Sequence, residues 1–187
     1  MLTRSRGLLL LIALLCLGLV SLGQPQTAHA TSRYNWLGGQ WVGPGPGVCC
    51  LHLKVTYEPG MTSKDIQGWD DARYVWTQSP ALIYYDKGTD YTIAADDWYD
   101  ANTNYVGQTY NWPCPSCTPY NGALTELNYY YTNKDSFSPD IIQGAAAHEL
   151  GHVAGLAHHS GPYLMNPTLN GIHAPTSDEI NGINSRY

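Results

Sequence analysis

Three histidines and a glutamate within one short stretch constrain this chain more than anything else in it. The stretch reads His148-Glu149-Leu150-Gly151-His152-Val153-Ala154-Gly155-Leu156-Ala157-His158. On an α-helix, positions i and i+4 lie about 400° apart and about 6 Å along the axis, so they share a face. His148 and His152 can therefore offer imidazole nitrogens to a single ion. Glu149 stands about 100° further round, on the flank of that ion where a water would bind. A third histidine six residues after His152 would point away if the helix ran on. Gly155 can take a left-handed conformation, end the helix and turn the chain back, so that His158 faces the other two. Three neutral imidazoles leave a fourth position open, which is the arrangement of a catalytic zinc site and not of a closed structural one. HExxH alone recurs on ordinary helices by accident; the extension to Gly155 and His158 makes accident a poor explanation.

Composition sets the frame around this stretch. The chain has 187 residues, 43% hydrophobic and only 13% charged. That supports one domain with a real core and argues against a largely disordered chain. A net charge of −6 leaves no electrostatic footprint for nucleic acid. The 15 Tyr and 6 Trp bring large amphipathic side chains whose polar ends must find partners or water. Residues 1–30 read as a secretory signal peptide: Arg4 and Arg6, an apolar run from Leu8 to Val20, then Ala28-His29-Ala30 as a small-x-small cleavage site. The apolar run is short for a bilayer; an N-terminal anchor is the competing reading. Residues 31–187 then form the mature domain. It is expected to be secreted, acidic, without stable membrane association and monomeric.

Cys16 leaves with the signal, so Cys49, Cys50, Cys114 and Cys117 remain. An even number in an exported chain reads first as two disulfides, and four cysteines allow three connectivities. Bonding adjacent Cys49 and Cys50 is strained, which favours bridges from that pair to Cys114 and Cys117. A four-thiolate zinc site using Cys114-Pro-Ser-Cys117 is the competing reading.

Residues 31–48, rich in Gly, Pro and Trp, read as an irregular segment. Leu51, Leu53, Val55 and Tyr57 alternate with polar residues, as in a strand. Ile66, Trp69, Ala72 and Trp76 recur at helical spacing between Ser63 and about Thr77, with Thr62 or Ser63 as cap. Short strands are expected at Ala81–Tyr85, Tyr91–Ala95, Tyr105–Tyr110 and Leu127–Thr132. Helices are expected from Pro139 to Val153 and from Ser177 to Ser185, the last opened by the capping box Thr176-Ser177-Asp178-Glu179. One helix among strands followed by two late helices is an α+β pattern in a single domain.

The chain resembles a known family at this point. HELGHVAGLAH matches the HExxHxxGxxH zinc motif of the metzincin metallopeptidases. Tyr163-Leu164-Met165-Asn166-Pro167 is similar to the Met-turn beneath such a site. Met165-x-Pro167 followed by Pro175-Thr176-Ser177-Asp178-Glu179-Ile180-Asn181-Gly182-Ile183 resembles the end of a matrixin catalytic domain. The likeness covers residues 141–187; upstream only the order of elements agrees. It implies a zincin-like domain with a twisted, mostly parallel five-stranded sheet, an active-site helix, a C-terminal helix and a cleft. Carried over, His148, His152 and His158 would be ligands of one catalytic zinc, Glu149 the general base and Met165 an apolar floor. His159 competes with His158 as third ligand, and the spacing from Gly155 favours His158.

There are departures from the matrixin pattern. No Pro-Arg-Cys-Gly-type latency segment is found. Only His52 lies upstream to serve a structural zinc, so that second zinc is not expected. Asp86, Asp90, Asp96, Asp97 and Asp100 are candidates for a calcium loop, against a plain solvated acidic loop. The implied activity is hydrolysis of peptide bonds in an extended polypeptide, which would pair with the strand at Tyr105–Tyr110 while Tyr163–Leu169 walls the pocket. The alternative is a secreted zinc-binding recognition module on the same fold, without proteolysis.

Overall fold

The computed structural model describes residues 34–187 apart from 44, 46 and 47; the expected signal peptide lies outside them. Alternation drives the first long strand, β2 (Leu51–Tyr57), after a two-residue strand, β1 (Asn35–Trp36). In β2, Leu51, Leu53 and Val55 are buried while His52 and Lys54 face out. Thr62 caps α1 (Ser63–Gln78) by accepting from the Asp65 amide, and the helix buries Trp69, Ala72 and Trp76. The remaining strands are β3 (Ile83–Lys87), β4 (Ile93–Trp98), β5 (Gly107–Trp112) and β6 (Gly122–Asn128). Then come α2 (Tyr129–Thr132), α3 (Pro139–Val153), β7 (Leu156–Ala157) and α4 (Ser177–Asn184).

The fold is α+β, with a five-stranded sheet in the order β3-β2-β4-β6-β5. β3, β2, β4 and β6 are mutually parallel, and β5 runs antiparallel at the edge. Val55, Ile83, Ile93 and Leu127 of the sheet join Trp69 and Trp76 of α1 and Leu150 of α3 in one core. α1 and α3 meet closely because Gly68 has no side chain; a Cβ there would lie 2.5 Å from Ile142 Cγ2.

Two expectations need correction. The strand expected at Leu127–Thr132 lies earlier, at Gly122–Asn128, and Tyr129–Thr132 is helical. The Asn128 side chain accepts from the Tyr130 amide, and this cap overrides the strand preference of three tyrosines. The favoured cysteine bridges are also not the ones formed, since Cys49 pairs with Cys50 and Cys114 with Cys117. Cys50 precedes β2 and Cys114 follows β5, which is three places away across the sheet. That is about 14 Å at the usual strand spacing, whereas a bridge needs Cα atoms within about 7 Å. β2 starts at Leu51 as expected, while β3, β4 and β5 begin two residues later than expected, because pairing with neighbours sets their ends.

Candidate active site

α3 begins at Ser138, whose hydroxyl accepts from the Ile141 amide, with Pro139 in the first turn. It carries His148, Glu149 and His152 and stops at Val153. Gly155 has φ +94° and reverses the chain, and a Cβ there would meet the Gly39 carbonyl at 2.9 Å. β7 then pairs antiparallel with β1. The Asn35 amide donates to the His158 carbonyl at 2.9 Å, and the Leu37 N–H donates to the Gly155 carbonyl at 2.9 Å. The segment read as irregular from sequence thus holds the backbone of the third histidine.

The three Nε2 atoms form a near-equilateral triangle with sides of 3.1 Å, 3.1 Å and 3.2 Å. The opposite ring nitrogens fix the tautomers of two of them. His148 Nδ1 meets the Leu164 carbonyl at 2.8 Å and His152 Nδ1 meets the Leu156 carbonyl at 2.7 Å. A carbonyl can only accept, so each Nδ1 carries the hydrogen and each Nε2 turns a lone pair to the centre. Lone pairs aimed at one point repel unless a cation lies there. Zinc–nitrogen bonds of about 2.05 Å at tetrahedral angles would separate three nitrogens by about 3.3 Å, so the triangle fits such an ion. Burial pushes the His148 imidazole down to about 4 and that of His152 to about 3, and lowers His158 as well. All three therefore stand in the neutral, ligating form near neutrality. Among the described residues this is the one group of three or more His, Cys, Asp or Glu side chains with ligand atoms within 4.8 Å of one another.

Glu149 is only 5% exposed. Burial pushes its carboxyl up to about 8, against a hydrogen bond that favours the charged form. That bond is donated by Thr109 Oγ1 to Oε2 at 2.7 Å. β5 meets α3 through one face, because residues two apart point the same way. A Cβ at Gly107 would lie 2.6 Å from Glu149 Oε1, and Asn111 Nδ2 donates to the His152 carbonyl at 2.8 Å.

Met165 is buried against α3 where Gly151 makes room; a Cβ there would lie 2.3 Å from its sulfur. The Leu164–Met165 peptide does double duty. Its carbonyl accepts from His148, and its N–H donates to Glu179 Oε1 at 3.0 Å. Glu179 is 1% exposed, and its Oε2 also accepts from the Thr176 amide and hydroxyl. Sequence showed Glu179 only as half of a capping box; an acidic residue on the buried side of a short helix was the available signal. His159 turns elsewhere, with its ring 4.8 Å from that of Tyr163 and its N–H donating to the Met165 carbonyl.

A cleft of about 780 Å³ runs over the triangle. Tyr105 to Asn111 lines one side, Asn166 to Leu169 another, and Ala145, His148, Glu149 and His152 its floor. The acidic residues considered for calcium do not gather. Asp86 meets His52 at 2.9 Å, Asp90 meets Lys54 at 3.2 Å, and Asp97 accepts from the Thr62 amide.

No family profile and no curated protein matches this chain. Among solved structures, it is similar to high choriolytic enzyme 1, a hatching enzyme zinc-protease from Oryzias latipes (medaka fish). That match has 13% identity over 64% of this chain and 50% of the other, with a TM-score of 0.39. A structure of myroilysin is similar at 17% identity over 64% of this chain and 52% of the other, with a TM-score of 0.41. A second myroilysin structure matches at 17% identity over 66% and 52%, with a TM-score of 0.39. The chain spans about half the length of these structures.

Proposed function

We propose that this chain is a secreted zinc endopeptidase of the metzincin type, close to the matrixins. The observation that carries the reading is the Nε2 triangle, with two of its rings anchored through Nδ1–H to backbone carbonyls. His148, His152 and His158 would hold the zinc, whose bound form polarises a carbonyl and activates a water. Glu149 would take a proton from the hydrolytic water and return it to the leaving amine. Its buried setting, away from bulk water, suits a group that must hold and release a proton in one cycle. The substrate would lie extended along β5, whose outer edge has no strand partner among the described residues, and add to the sheet by backbone hydrogen bonds. Among the described residues lining the cleft there is no Lys, Arg or Asp, and Glu149 is the one carboxyl group, which suits uncharged polypeptide segments. No protein nucleophile and no covalent intermediate are needed. Among the described residues no helix is long and apolar enough to cross a membrane.

The test is turnover of casein or gelatin by the mature chain. Hydrolysis should occur, should stop with a zinc chelator and return with zinc, and should fall by at least about 10²-fold in Glu149→Gln, which keeps the shape but not the base. Metal analysis should find one tightly held zinc per chain. Stoichiometric zinc without cleavage across a broad peptide library would sink the endopeptidase reading and favour a recognition module.

A further inference from the structure

We propose that Thr109 is the positioning residue for the Glu149 carboxylate, and that Thr125 sets the direction of the Thr109 hydroxyl. The inference rests on Glu149 being the proton carrier of the proposed reaction and goes beyond it. Thr109 is the one hydrogen-bond partner of the Glu149 side chain among the described residues. Its Oγ1 lies 2.7 Å from Oε2 and 2.9 Å from Thr125 Oγ1. In the ionised form that takes up a proton, the Glu149 carboxylate can only accept, so the Thr109 hydrogen points to Glu149, whose backbone carbonyl also lies 3.2 Å from Oγ1, and Thr109 accepts from Thr125. Thr125 is fully buried on β6, opposite Thr109 in the register of the sheet. The order of donation is therefore Thr125 to Thr109 to Glu149.

This fixes one carboxylate oxygen and leaves the other for chemistry. Oε1 faces Gly107, where any side chain would occupy its place. Gly107 and Thr109 lie on the inner face of β5, the edge strand along which the substrate is proposed to pair. One strand would thus register the scissile bond and hold the proton carrier. A shift of either relative to the other is then restricted, and misplacement by about 1 Å costs on the order of 10²-fold in rate.

The experiment compares Thr109→Val, which keeps the shape and removes the hydroxyl, with Thr109→Ser, which restores it. Thr109→Val should bind one zinc per chain and lower kcat by about 10- to 100-fold, with KM within about twofold of the parent. Thr109→Ser should recover kcat to within about threefold of the parent. Thr125→Val should lower kcat by less than Thr109→Val does. Crystal structures of the zinc-loaded parent and Thr109→Val should show the Glu149 carboxylate rotated or split between conformers in the variant. Unchanged kcat, a loss confined to KM, a serine variant as poor as the valine one, or an unmoved carboxylate would each overturn the proposal. If valine at 109 prevents folding, Thr109→Ala carries the same comparison. If the parent cleaves no peptide, the endopeptidase reading fails by itself, and the two crystal structures still decide whether Thr109 sets the carboxylate.

Discussion

At the scale of single residues, the site is built by removing choices. Each imidazole of α3 has a hydrogen-bonded carbonyl behind it, so its tautomer and ring plane are set before any ion arrives. The Leu164–Met165 peptide passes this constraint on to Glu179, which is buried with three hydrogen bonds to its carboxylate. The same burial has a consequence for the metal-free chain. His148 and His152 are held at about 4 and about 3, below the 6.5 of an unfolded histidine. Between these values the unfolded chain binds the protons, so stability falls as pH falls. Their contribution is complete above pH 6.5 and disappears as pH drops through about 4 to 3. The urea midpoint of chelator-treated protein should decline across that window; a midpoint flat from pH 6.5 to 4 would contradict the burial described.

At the scale of elements, α3 is satisfied from outside. Trp76 donates to the Ala147 carbonyl, Tyr85 to Leu150, Asn111 to His152, Trp41 to Val153 and Tyr187 to Ala154. A carbonyl has two lone pairs, and here aromatic and amide side chains use those left over along the C-terminal half of α3, beside the backbone N–H groups of Ala154 and Gly155 that reach Leu150 and His152. This gives the excess of Tyr and Trp a purpose: apolar bodies fill the core while polar tips tie down the helix that carries His148 and His152. The approach of α1 to α3 depends on Gly68. Gly68→Ala would gain about 1 kcal/mol of helix propensity. The added methyl collides with the β-branched and stiff Ile142, and overpacking costs about 1–3 kcal/mol. A net loss of about 0–2 kcal/mol is expected in the stability to denaturation; a stabilised variant would mean that α1 can move away freely. Helical periodicity made both long helices legible, α3 over its full span. β6 was hidden because Gly122 to Asn128 is short on large apolar residues and its burial comes from neighbours on both sides.

At the scale of the whole molecule, tyrosine hydroxyls join distant parts of the chain. Tyr57 donates to Asp70, Tyr85 to the Leu150 carbonyl and Tyr187, at the chain end, to the Ala154 carbonyl. Burial raises all three hydroxyls above the ordinary value of 10, Tyr187 to about 12. For these groups the folded state holds its proton longer than the unfolded one. Their stabilisation is full below pH 10 and declines as pH rises above it, for Tyr187 through about 12. A steep fall in stability between pH 10 and 12, tracked by tyrosinate absorbance appearing together with unfolding, is the expected outcome. Tyrosinate absorbance from all tyrosines near pH 10 in a still-folded chain would contradict it.

The spacing His148, His152, Gly155, His158 determined by itself that three imidazoles could converge, because helix geometry and a glycine reversal are local properties. Thr176 with Glu179 likewise marked the start of the last helix, as a cap is read within four residues. Only the tertiary structure decided which strand lies beside Glu149, that Asn35 reaches the His158 carbonyl across the chain, and that Glu179 supports the turn at Met165. It also decided the cysteine pairs, since separation across a sheet depends on strand order. Periodicity records which face of an element is buried; it carries no record of the partner that buries it.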